Sequence, residues 1–180
     1  RNIKQADFDQ RVDILPVADP NIFSMSQRIS VAQTHAIMNQ LVLPNDTNTL
    51  GNLHGGRVMY LMDICAAMSA YRLSRSPVVT ASVDRLDFLS PAQLGDMLIL
   101  RSSVNYTGKT SMEVGVRIES ENPQTGYINH TATAYMTFVA LDDRNKPTSV
   151  PLIRPETEDE IRRFEEAKIR HKLNKQRIAD

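Results

Sequence analysis

A single cysteine in 180 residues rules out an intrachain disulfide. A lone thiol favours a reducing compartment. Its apolar neighbours predict that Cys65 is buried and inert. Net charge is missing too: 21 Lys and Arg balance 21 Asp and Glu. That excludes a broad basic face for nucleic acid, while a small anionic ligand needs only a local cluster of bases. No stretch approaches the ~18 uninterrupted apolar residues of a membrane span. The chain begins Arg1-Asn2-Ile3-Lys4-Gln5, with neither a methionine nor an apolar signal core, as expected of a processed or trimmed form. No internal repeat is visible. No second His or Cys stands at ligand spacing from His54, so no metal site is expected. What remains is a globular composition, 41% hydrophobic and 23% charged, long enough for one well-cored domain and short for two.

One stretch organises the rest. Pro44-Asn45-Asp46-Thr47-Asn48-Thr49-Leu50-Gly51-Asn52 is turn-forming and runs through Leu53 into His54-Gly55-Gly56. An apolar helical pattern follows with one carboxylate inside it. Asp63 is flanked by Tyr60, Leu61, Met62, Ile64, Cys65, Ala66, Ala67 and Met68. An acid there resists ionisation unless something stabilises its charge. Both a tuned base and a structural acid pinned by hydrogen bonds fit that pattern.

Residues 1–24 are mixed and polar, interrupted by Pro16 and Pro20, and read as an arm. Residues 25–153 read as one domain. Residues 29–43 alternate, with Ile29, Val31, Ile37, Leu41 and Leu43 on one parity, and predict a strand. Residues 55–74 predict a helix with a stripe of Val58, Leu61, Met62, Cys65 and Met68, buried on most sides and ended by Pro77. Strands are expected over residues 78–89, 97–106, 111–119 and 127–141, in hairpin order. The tightest turn is Thr107-Gly108-Lys109-Thr110. In the last strand Ala132, Ala134, Met136 and Phe138 share a face. Residues 154–180 predict a charged helix. Thr157 and Glu160 form its capping box, acids open it, and Arg170, His171, Lys172, Lys175 and Arg177 crowd its end. That face is expected to be solvated. The order predicts an α+β domain, one long helix wrapped by an antiparallel sheet, plus a C-terminal helix.

The order of elements, with Asn48, His54-Gly55-Gly56 and Asp63, resembles the hotdog-fold acyl-CoA thioesterases, closest to the cytosolic brain-type acyl-CoA hydrolases. Val79-Thr80-Ala81-Ser82-Val83-Asp84, Asp87-Phe88-Leu89-Ser90-Pro91 and residues 155–166 are also similar to that family. The resemblance spans roughly residues 29 to 175. It implies a central helix in a wrapping sheet, a cytoplasmic enzyme, and protomers paired edge to edge with the site at their interface, assembling further into a hexamer, a trimer of dimers. It implies that Asp63 is the helix carboxylate and that Asn48 comes from the opposite domain of the pair. Relatives with two fused domains divide these residues; one domain carrying both implies two equivalent sites in a homodimer.

Thioester hydrolysis needs an activated water or a nucleophile, and donors for the oxyanion. A turn entering a helix offers unpaired N–H groups, and glycine permits close approach. Gly55 and Gly56 are therefore the expected oxyanion donors, worth ~10²–10³ in rate each. Asp63, two turns along, is the expected general base, with direct attack as nucleophile left open. Asn48 positions water or thioester, or simply holds a turn. His54 is a general acid, a metal ligand or a shaper of the loop. Lys109, Thr110, Ser111, Arg57 and Thr80 are candidates to hold coenzyme A, with Arg75 and Arg85 as helpers. Ser103 stands where a phosphate loop needs glycine, and a strand follows where it needs a helix, which rejects nucleotide hydrolysis. Coenzyme A enters as part of the substrate, so no separate cofactor is expected. The rivals are a hydratase or dehydratase acting on enoyl thioesters and a non-catalytic acyl-CoA sensor.

Overall fold

A computed structural model of the chain describes residues 28–179. The arm expected at 1–24 lies outside the described residues. The elements, in order, are β1 (Arg28–Ser30), β2 (Ala36–Leu41), α1 (Gly55–Ser74), β3 (Val78–Phe88), β4 (Met97–Thr107), β5 (Ser111–Glu121), β6 (Ile128–Ala140), β7 (Leu152–Arg154) and α2 (Glu158–Ala179). Five strands form an antiparallel sheet in the order β2-β4-β5-β6-β3. β1 and β7 make a small separate parallel pair.

α1 lies across one face of the sheet. It buries Val58, Leu61, Met62, Cys65, Ala66, Ser69, Ala70 and Leu73. Opposite stand Leu98, Leu100 and Val104, Val114, Val116 and Ile118, and Ala132, Ala134, Met136 and Phe138, all buried. These strand residues alternate, and each set fills the same side of the pleat. The helix stops where Arg75 takes the left-handed conformation at φ 53° and its N–H bonds to the Tyr71 carbonyl, just before Pro77. Cys65 is fully buried; its Sγ sits 3.3 Å from Ser102 Oγ, and burial pushes the thiol above its ordinary pKa despite that hydrogen bond.

α2 docks on the opposite face. Its capping box forms as expected: Thr157 N–H donates to Glu160 Oε2 at 3.0 Å, and Glu160 N–H to Thr157 Oγ1 at 3.2 Å. Ala167 is fully buried, Phe164 meets the Tyr106 ring at 5.4 Å, and the Arg170 guanidinium sits 4.0 Å from the Tyr135 ring centre. Arg170 also grips the buried Glu113 carboxylate through two hydrogen bonds of 2.8 and 3.0 Å. The tail is therefore a third layer and not merely a solvated helix.

Three expectations are corrected. The single strand over 29–43 is broken by a 3-10 turn, Val31–Thr34, held by Thr34 Oγ1 donating to the Val31 carbonyl at 2.7 Å. The turn resets the alternation, so Ala36 and Val42 face inward while Ile37, Leu41 and Leu43 are exposed. Met68 falls off the buried stripe, and Met59, Tyr60 and Tyr71 on the same helix are exposed. Finally, β3 does not continue a run of hairpins. It crosses to the far edge beside β6, leaving β4-β5-β6 as the meander.

Candidate active site

Asp63 sits midway along α1, on the side that faces β3. Thr80 Oγ1, from β3, donates to Asp63 Oδ1 at 2.5 Å. The register that puts it there is Thr80 opposite Phe138 on β6, next to an irregularity between Thr80 and Ser82. A cavity of about 230 Å³ opens beside the pair, lined by Met59, Tyr60, Met62, Asp63, Thr80, Val83, Leu86, Ala134 and Met136. Asp63 is its one ionisable carboxylate, in an otherwise apolar wall. Asp63 Oδ2 has no hydrogen-bond partner among the described residues. One carboxylate oxygen is thus fixed and the other is left to act.

The preceding loop is rigid by its own chemistry. Asn48 Oδ1 accepts from the N–H groups of Leu50 and Asn52 at 2.9 and 3.2 Å, and the main chain closes through Asn48 N–H to the Asn52 carbonyl at 2.8 Å. Gly51 at φ 76° completes the turn. The Asn48 side-chain carbonyl is therefore occupied with the turn, and its Nδ2 amide is the group left to donate. Asp46 Oδ2 accepts the Leu43 N–H at 3.1 Å, while Oδ1 lies 2.9 Å from Arg57 Nε. The Arg57 N–H is not aimed at that oxygen, so this is a charge pair more than a hydrogen bond. Arg57 also sits 4.8 Å from the Tyr60 ring centre.

His54 is the exposed N-cap of α1, its N–H bonded to the Asp46 carbonyl at 2.9 Å. Gly55 and Gly56 follow, both exposed. A Cβ on Gly56 meets nothing within 4 Å, and one on Gly55 meets Phe88 at 3.4 Å. Neither glycine has a positive φ. Within the protomer, Gly56 in particular is not required by its own backbone or neighbours.

The sequence-expected residues fall into three places. Asp63 and Thr80 are joined, although Thr80 was expected against coenzyme A. Asn48, His54, Gly55, Gly56 and Arg57 cluster at the start of α1. None of the five lines the Asp63 cavity. Eight residues of helix separate Gly55 from Asp63, about 12 Å at 1.5 Å per residue. An oxyanion donor must lie ~3 Å from the thioester oxygen, and neither glycine shares the Asp63 cavity. Lys109, Thr110 and Ser111 form the β4–β5 hairpin, where Gly108 N–H bonds to the Ser111 carbonyl at 2.8 Å. Thr80 stands two strand spacings from the start of β5, through Phe138 and Met112, about 10 Å at ~4.8 Å per strand. Of the helper arginines, Arg85 is paired with Asp87 at 2.6 Å and Arg75 is the exposed helix cap. The Asp63–Thr80 contact is what the sequence did not yield, since it depends on β3 leaving the hairpin order.

Comparison with known proteins completes the picture. The Thioesterase superfamily profile matches residues 50–127. An uncharacterised acyl-CoA thioester hydrolase of Bacillus subtilis is 43% identical over 129 residues, covering 72% of this chain and 75% of the relative. The mouse cytosolic acyl coenzyme A thioester hydrolase is 36% identical, covering 88% of this chain, which spans 40% of that larger protein. Among solved structures, an apo-hexameric acyl-CoA thioesterase superimposes with a TM-score of 0.82 at 44% identity, covering 85% of this chain and 98% of the other. An acyl-CoA hydrolase of Staphylococcus aureus, solved with butyryl coenzyme A and coenzyme A, gives 0.80 at 37%, covering 85% and 93%. That enzyme has also been solved with an aspartate, a threonine and an asparagine each replaced by alanine. The chain belongs to the thioesterase superfamily and, with its hotdog sheet and central helix, to the acyl-CoA thioester hydrolases within it.

Proposed function

We propose that this protein hydrolyses acyl-CoA thioesters to a free carboxylic acid and coenzyme A, at a site completed by two copies of the chain. The observation that carries the reading is the Asp63–Thr80 pair in an apolar cavity. Thr80 fixes the carboxylate, and Asp63 Oδ2 takes a proton from water as the water oxygen attacks the thioester carbonyl. The tetrahedral oxyanion collapses, the C–S bond breaks, and the proton on Asp63 passes to the departing thiolate. The acyl chain lies among Met62, Val83, Leu86, Ala134 and Met136.

The oxyanion donors come from Gly55 and Gly56 of a second protomer, with the partner chain's Asn48 amide holding the water or the thioester. Two facts support this division: the ~12 Å along α1 that separates the glycines from Asp63, and the open space over Gly56. The staphylococcal enzyme supports the choice of residues. Its substituted asparagine lies 15 residues before the aspartate, and its threonine 17 after it. Asn48, Asp63 and Thr80 have the same two spacings. β3 is the edge strand that carries Thr80 and through which two sheets would pair, and the hexameric relatives support assembly beyond a dimer. Coenzyme A belongs to substrate and product, its phosphates assigned to Arg57 and to Lys109, Thr110 and Ser111 of a neighbouring chain. A cytoplasmic location is proposed by similarity to the mouse cytosolic enzyme.

Product analysis with an enoyl-CoA separates hydrolysis from hydration by an Asp–His pair. The deciding experiment is thiol release from a panel of acyl-CoA chain lengths by the wild-type chain and Asp63→Asn. Turnover that nearly vanishes in the variant, with coenzyme A binding and assembly intact, is the expected result. Full residual activity sinks the base assignment, and binding without thiol release by the wild-type chain supports a sensor.

A further inference from the structure

The opposite face of the sheet carries a second, larger cavity that the hydrolytic site does not use. It measures about 350 Å³ and lies between β2, the central strands and α2. Three arginines enter it from three different elements: Arg101 on β4, Arg117 on β5 and Arg163 on α2, with His35 at the rim. No carboxylate lines it.

The acids that balance these cations stand outside the lining. Glu119 accepts from both Arg101 and Arg117, whose side chains stay half-exposed. One carboxylate shared by two guanidinium groups leaves excess positive charge. Glu160 is already occupied by the N–H groups of Glu156 and Thr157, and Arg163 feels it only through space. Arg163 makes no hydrogen bond or ion pair among the described residues. Glu113 is taken by Arg170 and by the Asn105 Nδ2 amide, which donates to it at 3.2 Å.

The floor is built for close approach. Ser103 and Asn105 are buried polar residues that line the cavity, and Ser103 Oγ has no hydrogen-bond partner among the described residues. Gly115 lies under the Asn105 amide, where a Cβ would stand 2.7 Å from Nδ2. Three arginines around the unpartnered Ser103 hydroxyl, with Asn105 seated in the space that Gly115 leaves, form a concave anion receptor. Guanidinium groups recognise phosphate oxygens through paired N–H donors.

We propose that this outer-face groove binds a phosphate-dense anion of the pyrophosphate class, held by Arg101, Arg117 and Arg163 over Ser103 and Asn105. The site goes beyond the hydrolytic reading and does not depend on it. It lies across the sheet from Asp63, so its occupancy is read by binding alone.

Calorimetric titration of the full chain with inorganic pyrophosphate tests this at low ionic strength. Saturable binding is expected, weakened about tenfold in each of Arg117→Gln and Arg163→Gln and unchanged in Asp63→Asn. Tenfold is the size of loss for one charge-assisted pair. Thiol release by the Arg163→Gln protein should stay within about twofold of wild type. Ser103→Ala is a milder third variant that leaves all charges in place and should also weaken binding. Absence of binding to the wild type overturns the proposal, as does affinity undiminished in all three variants. A change of oligomer size in Arg117→Gln or Arg163→Gln overturns it too, because the groove is then an interface between chains.

Discussion

Thr80 Oγ1 and Asp63 Oδ1, 2.5 Å apart, join the edge strand to the central helix at the one carboxylate of an apolar cavity. The hydroxyl fixes the carboxylate's orientation and leaves Oδ2 free. Thr80→Ala should therefore lower kcat by about 10- to 100-fold, within the range of general-base contributions, with little change in KM. Thr80→Ser keeps the hydroxyl and should recover most of the rate. Steady-state thiol release separates these outcomes, and equal loss in both variants would tie the defect to β3 packing.

Asn48 separates the turn from the proposed donor on two atoms. Oδ1 closes the turn, and Nδ2 is left to donate. Asn48→Asp keeps the turn acceptor and removes the donor. Its melting temperature should stay near wild type while activity falls, whereas Asn48→Ala should lose both. Mixing inactive Asp63→Ala and Asn48→Ala chains should restore part of the activity through mixed sites. No recovery, with subunit exchange proven by mass, would place both residues in one protomer's site.

Gly56 has open space where a Cβ would go. Alanine there should leave stability unchanged or raise it by up to about 1 kcal/mol, since alanine is the better helix former. If a substrate carbonyl approaches this N–H, the same substitution should cost about tenfold or more in kcat. Thermal melts and kinetics on one preparation decide it; unchanged kinetics would move the oxyanion donor elsewhere.

Glu160 ties α2 to its own entry. Burial by itself would raise the pKa of this carboxyl, but the Glu156 and Thr157 N–H groups, with the charges of His35 and Arg163, hold it below the ordinary carboxylate range. A folded-state value below the unfolded one gives stability that is present above pH ~4.3 and is lost as pH falls through the folded value. Glu160→Gln preserves the cap geometry and removes the titration. It should cost about 1 kcal/mol at neutral pH and flatten the acid side of the stability curve. A parallel pH dependence in both proteins would refute this.

Local signals were legible in the sequence because each depends on near neighbours. The helix bounds follow from His54-Gly55-Gly56 and Pro77, the α2 start from Thr157 and Glu160, and the β6 core face from Ala132, Ala134, Met136 and Phe138. The inverted face of β2 was not legible. Ile37 and Leu41 share a parity with Ile29 only if Ser30 to His35 is extended, and Thr34 folds that segment into a turn. The pairing of Thr80 with Asp63 needs the sheet order, and no local pattern sends β3 past three strands to sit beside β6. The docking of α2 depends likewise on the distant Glu113–Arg170 pair.

Placing Thr80, the partner of Asp63, on an edge strand of the sheet exposes the chain to a hazard. The first half of β3, Val78-Val79-Thr80-Ala81-Ser82-Val83, is uncharged and rich in β-branched residues, with one row of backbone donors and acceptors unsatisfied by its own sheet. Such an edge templates stray strands as readily as the right one. The two register irregularities at Thr80/Ser82 and Val83/Arg85, and the charges at Asp84, Arg85 and Asp87, restrict that promiscuity. Newly made chains thus face a race between correct pairing and aggregation. Substitution of Arg85 by an apolar residue shifts that race toward precipitation before any loss of folded structure is measurable.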